Sequence, residues 1–219
     1  TWFDPSSAAH SDAFDPATDP SGTWSYVLTG TGGCADTTAT LQISLTIPDT
    51  QITGDNTICD GDTTQLVNSG NVSWSWTPAT GISDPAIGDP LFFPSTTTTY
   101  SVTVTDAAGC IGTGSVVLTV NLLPTVDAGA DVAICAGSST TIGGSPTGPG
   151  GSSFNWSPGT DLDDDNASNP NAQPSTTITY TVLVTDANQC SGADSMVVTV
   201  NPIPQLDAGP DTSFCQGGS

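Results

Sequence analysis

The chain contains no lysine, no arginine and no glutamate; its 22 acidic residues are all aspartate, and its formal net charge is −22. Without Lys or Arg to displace counterions from phosphates, nucleic acid is excluded as a partner. An anionic membrane surface is excluded for the same reason. Lys–carboxylate and Arg–carboxylate ion pairs cannot form, so stability must come from apolar burial, backbone ladders and covalent links. No run approaches the roughly 20 apolar residues of a membrane span, so membrane insertion is not expected. There is one His, one Met and no C-x-x-C spacing, which argues against a cysteine metal site. Divalent cations, cationic surfaces and surface glycans remain open as partners. The 35% apolar share is that of a chain with a core, not of a disordered acidic tail.

What the chain has is repetition. "TTTTYSVTVTDAAGC" (96–110) returns eighty residues later as "TTITYTVLVTDANQC" (176–190), with ten of fifteen letters identical. Trp76 and Trp156, Pro78 and Pro158, Tyr100 and Tyr180, and Asp106 and Asp186 keep the same offset of 80. Cys59 and Cys135 are 76 apart, the difference of four lying in the Gly/Pro insertion "GGSPTGPGGSS" of the second copy. Two full repeats follow, 49–123 and 124–203. Residues 1–48 are the C-terminal part of a divergent repeat, and 204–219 open another, since "DAGPDTSFC" echoes "DAGADVAIC". The chain opens in mid-pattern, so it is expected to be a piece of a longer one. Short Pro-bearing links, "TIPDT", "NLLPT" and "NPIPQ", suggest semi-rigid joints.

Strand is the expected structure throughout. In 99–105, Tyr100, Val102 and Val104 share one face and Thr99, Ser101, Thr103 and Thr105 the other. This period of two marks a half-buried strand. The Asp106–Gly109 turn follows, then a strand over 113–121; "TTQLVN" and "VSWSWTP" read as two more. Short β-branched strands at this spacing predict an all-β fold of tandem immunoglobulin-like sandwiches, about 80 residues each and arranged as an extended rod. Trp76 and Trp156 are expected in the core, with an exposed ligand platform as the alternative. Tyr100 and Tyr180 are placed to make a corner hydrogen bond.

Six Cys at regular positions indicate an oxidising compartment. Two pairings are arithmetically tidy. Within repeats, Cys59–Cys110 and Cys135–Cys190 pair, leaving Cys34 and Cys215 to partners outside the chain. Across joints, Cys34–Cys59, Cys110–Cys135 and Cys190–Cys215 would pair. The first is favoured, because about ten residues of final strand at about 3.3 Å each carry the chain away from Cys110 before Cys135 is reached. Closing a loop of about 50 residues would stabilise each unit by roughly 3–4 kcal/mol in the chain-entropy account.

Asp161, Asp163 and Asp165 in "DLDDDN" resemble the start of a calcium loop, making Ca²⁺ the one cofactor to consider. The pattern departs from that loop at Asn166 and Ala172, where Gly and Glu would stand, and a solvated acidic loop is the plainer reading. His10 with Ser7, Ser11 and Asp12 is a poor triad, since triad members are rarely sequence neighbours. No catalytic residue is expected. Asn71, Asn155 and Asn166 fit the N-glycosylation pattern, which a Ser-rich chain produces by chance.

The motifs "DAGADVAIC", "FNWSP", "TYTVLVTDANQC" and "VTVNPIP" resemble the tandem PKD-like, immunoglobulin-like repeats of giant Bacteroidota cell-surface adhesins of the SprB type. The opening "TWFDPSS" and "FDPATDPSGTWSY" resemble a second repeat type of the same proteins. The resemblance implies a stalk segment of a secreted adhesin filament serving gliding motility and surface attachment. It implies export by the type IX secretion system, a place on the cell surface, and the gliding machinery and adjacent repeats as partners. A glycan- or protein-binding module, or a spacer in a secreted hydrolase, is the alternative. The family also implies O-glycosylation at Asp-Ser/Thr motifs, which here are Thr37, Thr63 and Ser195.

Overall fold

The computed structural model describes residues 2–10, 21–28, 30–31, 34–207, 209, 211 and 216, with the His10 side chain left aside. Among them there is no helix, and so none long and apolar enough to cross a membrane. Every regular element is a strand, and the architecture is all-β. Two compact units divide the chain, Thr1–Thr119 and Val120–Ser219.

The first segment holds β1 (Trp2–Phe3), β2 (Ala9–His10), β3 (Gly22–Leu28) and β4 (Thr37–Ile43) in one sheet, ordered β2-β1-β3-β4. Trp24 is buried, and the Trp2 and Tyr26 rings lie 5.0 Å apart.

The repeat 49–123 holds β5 (Thr57–Cys59), β6 (Thr64–Gln65), β7 (Ser73–Thr77), β8 (Leu91–Phe92), β9 (Thr98–Thr105) and β10 (Ile111–Asn121). One sheet has the order β5-β10-β9-β7; a two-stranded sheet, β6-β8, faces it. The alternation expected in β9 is realised, with Tyr100, Val102 and Val104 fully buried. They meet Trp76, Leu66, Phe92 and Leu118 in the core. Phe92 packs edge-on against both neighbouring rings, 5.2 Å from Trp76 and 4.8 Å from Tyr100, the geometry that the ring quadrupoles favour.

The repeat 124–203 reproduces this plan. Its strands are β11 (Val132–Cys135), β12 (Thr140–Thr141), β13 (Ser153–Ser157), β14 (Asn171–Ala172), β15 (Ile178–Thr185) and β16 (Ser191–Asn201). The sheets are β11-β16-β15-β13 and β12-β14. β11 runs parallel to β16, with Cys135 opposite Asn201; β15 and β16 are antiparallel over Ile178–Thr185. Ala172 stands where the first repeat has Phe92, and Ile142, Trp156, Tyr180, Val182, Val184, Met196 and Val198 complete the core. "TTQLVN" yields only the two-residue β6, because its remainder is spent on an isolated bridge, Thr53 with Val67.

Candidate functional site

The tryptophans and tyrosines sit where the repeat logic places them. Trp76 Nε1 donates to Ile87 O at 2.9 Å and Trp156 Nε1 to Ala167 O at 3.0 Å. Both indoles are buried with their one polar atom satisfied, so they are core anchors and not ligand platforms. Tyr100 Oη donates to Thr80 O at 2.9 Å, and Tyr180 Oη to Thr160 O at 3.1 Å. Burial raises both phenol pKa values, and at Tyr180 the Asp161 carboxylate adds to the rise.

The Asp-to-Cys turn is built twice. Asp106 Oδ1 accepts from Ala108 N at 2.8 Å and Cys110 N at 2.9 Å. Asp186 Oδ1 accepts from Asn188 N and Cys190 N, both at 2.9 Å. Desolvation is the largest single influence on Asp106 and pushes its pKa up. The donors Cys110 N, the Thr46 hydroxyl, Ala108 N and Gly109 N together outweigh it, so the net shift is downward.

The acidic loop does not assemble a cation cage. Asp161 has φ +64° and occupies the place of Gly81, φ +72°. It takes the left-handed conformation that Asp tolerates better than most residues. Asp163 Oδ1 accepts Asn171 N at 2.8 Å, as Ser83 Oγ accepts Leu91 N at 2.9 Å in the sister repeat. Asp165 stands where Pro85 stands; its carbonyl accepts Trp156 N, as Pro85 O accepts Trp76 N. Among the described residues, no three His, Cys, Asp or Glu side chains converge as a metal site would require. Each of the three aspartates thus has a structural duty that Gly, Ser or Pro performs eighty residues earlier.

The within-repeat disulfides are not formed. Cys59 and Cys190 are disulfide-bonded, whereas Cys34, Cys110 and Cys135 are free. The reason is length. Cys190 immediately precedes β16, while Cys135 pairs with Asn201 at its other end. Eleven residues of strand separate the two levels by about 36 Å, against the roughly 7 Å that a disulfide allows between Cα atoms. Likewise Cys110 precedes β10, and Asn56, three residues before Cys59, accepts Thr119 N near that strand's far end. The free state of Cys34, Cys110 and Cys135 also excludes Cys34–Cys59 and Cys110–Cys135. Cys215 lies outside the described residues, as do Ser11 and Asp12 of the imagined triad; Ser7 is an exposed turn residue with φ +69°.

Thr37, Thr63 and Ser195 are all exposed, Ser195 Oγ lying 2.8 Å from Thr181 Oγ1. Of the sequon asparagines, Asn71 is committed: its Nδ2 donates to Asp49 O, Asn68 Oδ1 and Ser69 O. A groove of 390 Å³ beside it escaped the sequence reading. It is lined by Asn68, Asn71, Trp74, Ile87 and Asp89. Trp74 Nε1 is fixed on Asn68 Oδ1 at 3.0 Å, and Phe154 stands at the equivalent place in the next repeat.

No family model matches the chain, and no curated protein does. Solved structures do resemble it. One is the N-terminal eight Ig domains of Down Syndrome Cell Adhesion Molecule: 13% identity, TM-score 0.41, covering 83% of this chain, which spans 28% of that one. The insect immune protein hemolin is 18% identical over 92% of this chain and 67% of its own, with TM-score 0.38. The PKD domain from KIAA 1837 protein is 26% identical over 40% of this chain and 91% of its own, with TM-score 0.30.

Proposed function

We propose that the chain is a structural stalk segment of a large secreted cell-surface adhesin, non-catalytic, of the gliding-motility type its motifs resemble. One observation carries this reading. The two full repeats reproduce the same sheets and the same Trp, Tyr and Asp hydrogen bonds at an 80-residue offset. Duplication of an internal scaffold is what a spacer requires, since each unit must fold on its own core and pass the chain on. The disulfide-bonded state of Cys59 and Cys190 favours an exported, oxidising location. Export by the type IX system, movement by the gliding machinery and O-glycans at Thr37, Thr63 and Ser195 belong to this proposal through the sequence resemblance. Electron microscopy of the purified chain tests it. A beaded, thin particle is expected, and a compact globule overturns it.

A second reading rests on the Trp74 groove. An indole edge beside the Asp89 carboxylate is chemistry suited to a neutral glycan, with an apolar ring face over the indole and hydroxyls on the carboxylate. Titration with neutral oligosaccharides, followed by tryptophan fluorescence in the native chain and W74A, tests it. Saturable quenching in the native chain alone supports it; no quenching removes it.

A further inference from the structure

One face sets the two full repeats apart. In the repeat 49–123 the strand β8 and the residue after it alternate: Phe92 is buried, while Leu91 and Phe93 turn outward, 46% and 49% exposed. Leu91 stands opposite Gln65 of β6, and Leu91 N donates to Ser83 Oγ at 2.9 Å. Gln65, Ser83, Leu91 and Phe93 are all exposed and share one outward face of the small sheet. In the repeat 124–203 the same places hold Thr141, Asp163, Asn171 and Gln173. That face is wholly polar, and Gln173 Nε2 is committed to Gly137 O at 3.2 Å. The fold therefore does not require an aliphatic or an aromatic side chain there, and a neighbouring pair of them marks an interaction surface. Phe93 also walls a crevice of 240 Å³ with Gly81, Pro94, Thr98 and Tyr100, a recess of side-chain size beside the apolar pair.

The rim of this face is acidic. Asp89 O accepts Gln65 Nε2 at 2.9 Å, Asp84 follows Ser83, and Asp62 stands just before β6; all three aspartates are exposed. The chain has no Lys or Arg, so no basic side chain of its own neutralises them. A second copy would carry the same net charge of −22 and bring carboxylates against carboxylates, which disfavours self-docking. We propose that the outer face of β6 and β8, anchored by Leu91 and Phe93, docks a cationic partner protein that presents apolar side chains between Lys or Arg residues. Contact with Leu91 and Phe93 supplies the anchor, with the crevice beside Phe93 taking one partner side chain. The rim carboxylates steer the encounter and fix its orientation.

The docking face does not depend on the stalk reading, and a binding measurement decides it separately from particle shape. The probe is a short fluorescent peptide in which Lys alternates with Leu, and its anisotropy is followed on titration with the whole chain. Saturable binding is expected, weaker at high salt. L91N/F93Q, which borrows the residues of the sister repeat, should keep the native melting temperature and weaken binding about tenfold or more. If that variant unfolds, the reciprocal graft N171L/Q173F decides: a second bound peptide supports the proposal, and none overturns it. Equal binding of a Lys–Ser peptide would show that charge alone acts, and equal binding of an Asp–Leu peptide that apolar adhesion alone acts; either overturns the proposal. So does native-strength binding by folded L91N/F93Q, the absence of saturable binding, or self-association of the native chain through this face that L91N/F93Q abolishes.

Discussion

Tyr180 Oη reaches back twenty residues to the carbonyl of Thr160, and Tyr100 makes the same bond to Thr80 in the repeat before. Both rings are fully buried, so the bond closes a corner of the sandwich from inside. Y180F would leave the ring packed and strand a carbonyl. The expected cost is about 1–2 kcal/mol in urea unfolding, with the same for Y100F. A change below about 0.3 kcal/mol would show that the corner bond adds nothing.

The same tyrosines set an alkaline limit. Burial raises their folded-state pKa above the ordinary value of 10.0, with burial foremost and Asp161 adding to the shift at Tyr180. A raised folded pKa means stability that is intact below about pH 10 and is lost as pH rises through the folded value. Tyrosinate absorbance should therefore lag in the folded chain, and unfolding should bring it forward at the same pH.

At the acid end, Asp194 has a lowered pKa, chiefly from Ala128 N, then from Ser195 N, with desolvation opposing. A lowered folded pKa gives stability present above about pH 4 and lost as pH falls through the folded value. D194N should flatten the acid limb of the melting-temperature profile. An unchanged limb would show that the Ala128 bond does not carry it.

The acidic loop can be tested by borrowing from the sister repeat. D163S should be nearly neutral, within about 0.5 kcal/mol, because Ser83 already makes the equivalent bond; D163A should cost about 1 kcal/mol. Calcium at millimolar concentration should leave the melting temperature of the native chain unchanged. A rise that D163S abolishes would restore a cation site.

Each indole anchors one core. W156A should destabilise the repeat 124–203 by about 3–5 kcal/mol and leave the repeat 49–123 at its native melting temperature. Loss of both transitions together would show that the cores are not separate.

The amino-acid sequence by itself pointed to the all-β class, the long strands around Tyr100 and Tyr180, the core tryptophans and the corner tyrosines. These follow from period-two alternation in strands such as Tyr100–Val104 and from an 80-residue offset that is visible without coordinates. Composition alone removed nucleic acid and ion-pair networks from consideration. Tertiary structure decided which cysteines can meet. Spacing along the chain does not say at which end of an 11-residue strand a neighbouring strand stops, and the parallel register of β11 on β16 sends Cys135 to the end away from Cys190. It also decided the role of Asp161, Asp163 and Asp165. Their alternation is that of a calcium loop, but in the fold Asp161 occupies a left-handed turn, the Asp163 carboxylate accepts Asn171 N and the Asp165 carbonyl accepts Trp156 N. The groove beside Trp74 was invisible beforehand because Asn68 and Asp89, distant in sequence, are brought to one rim only by folding.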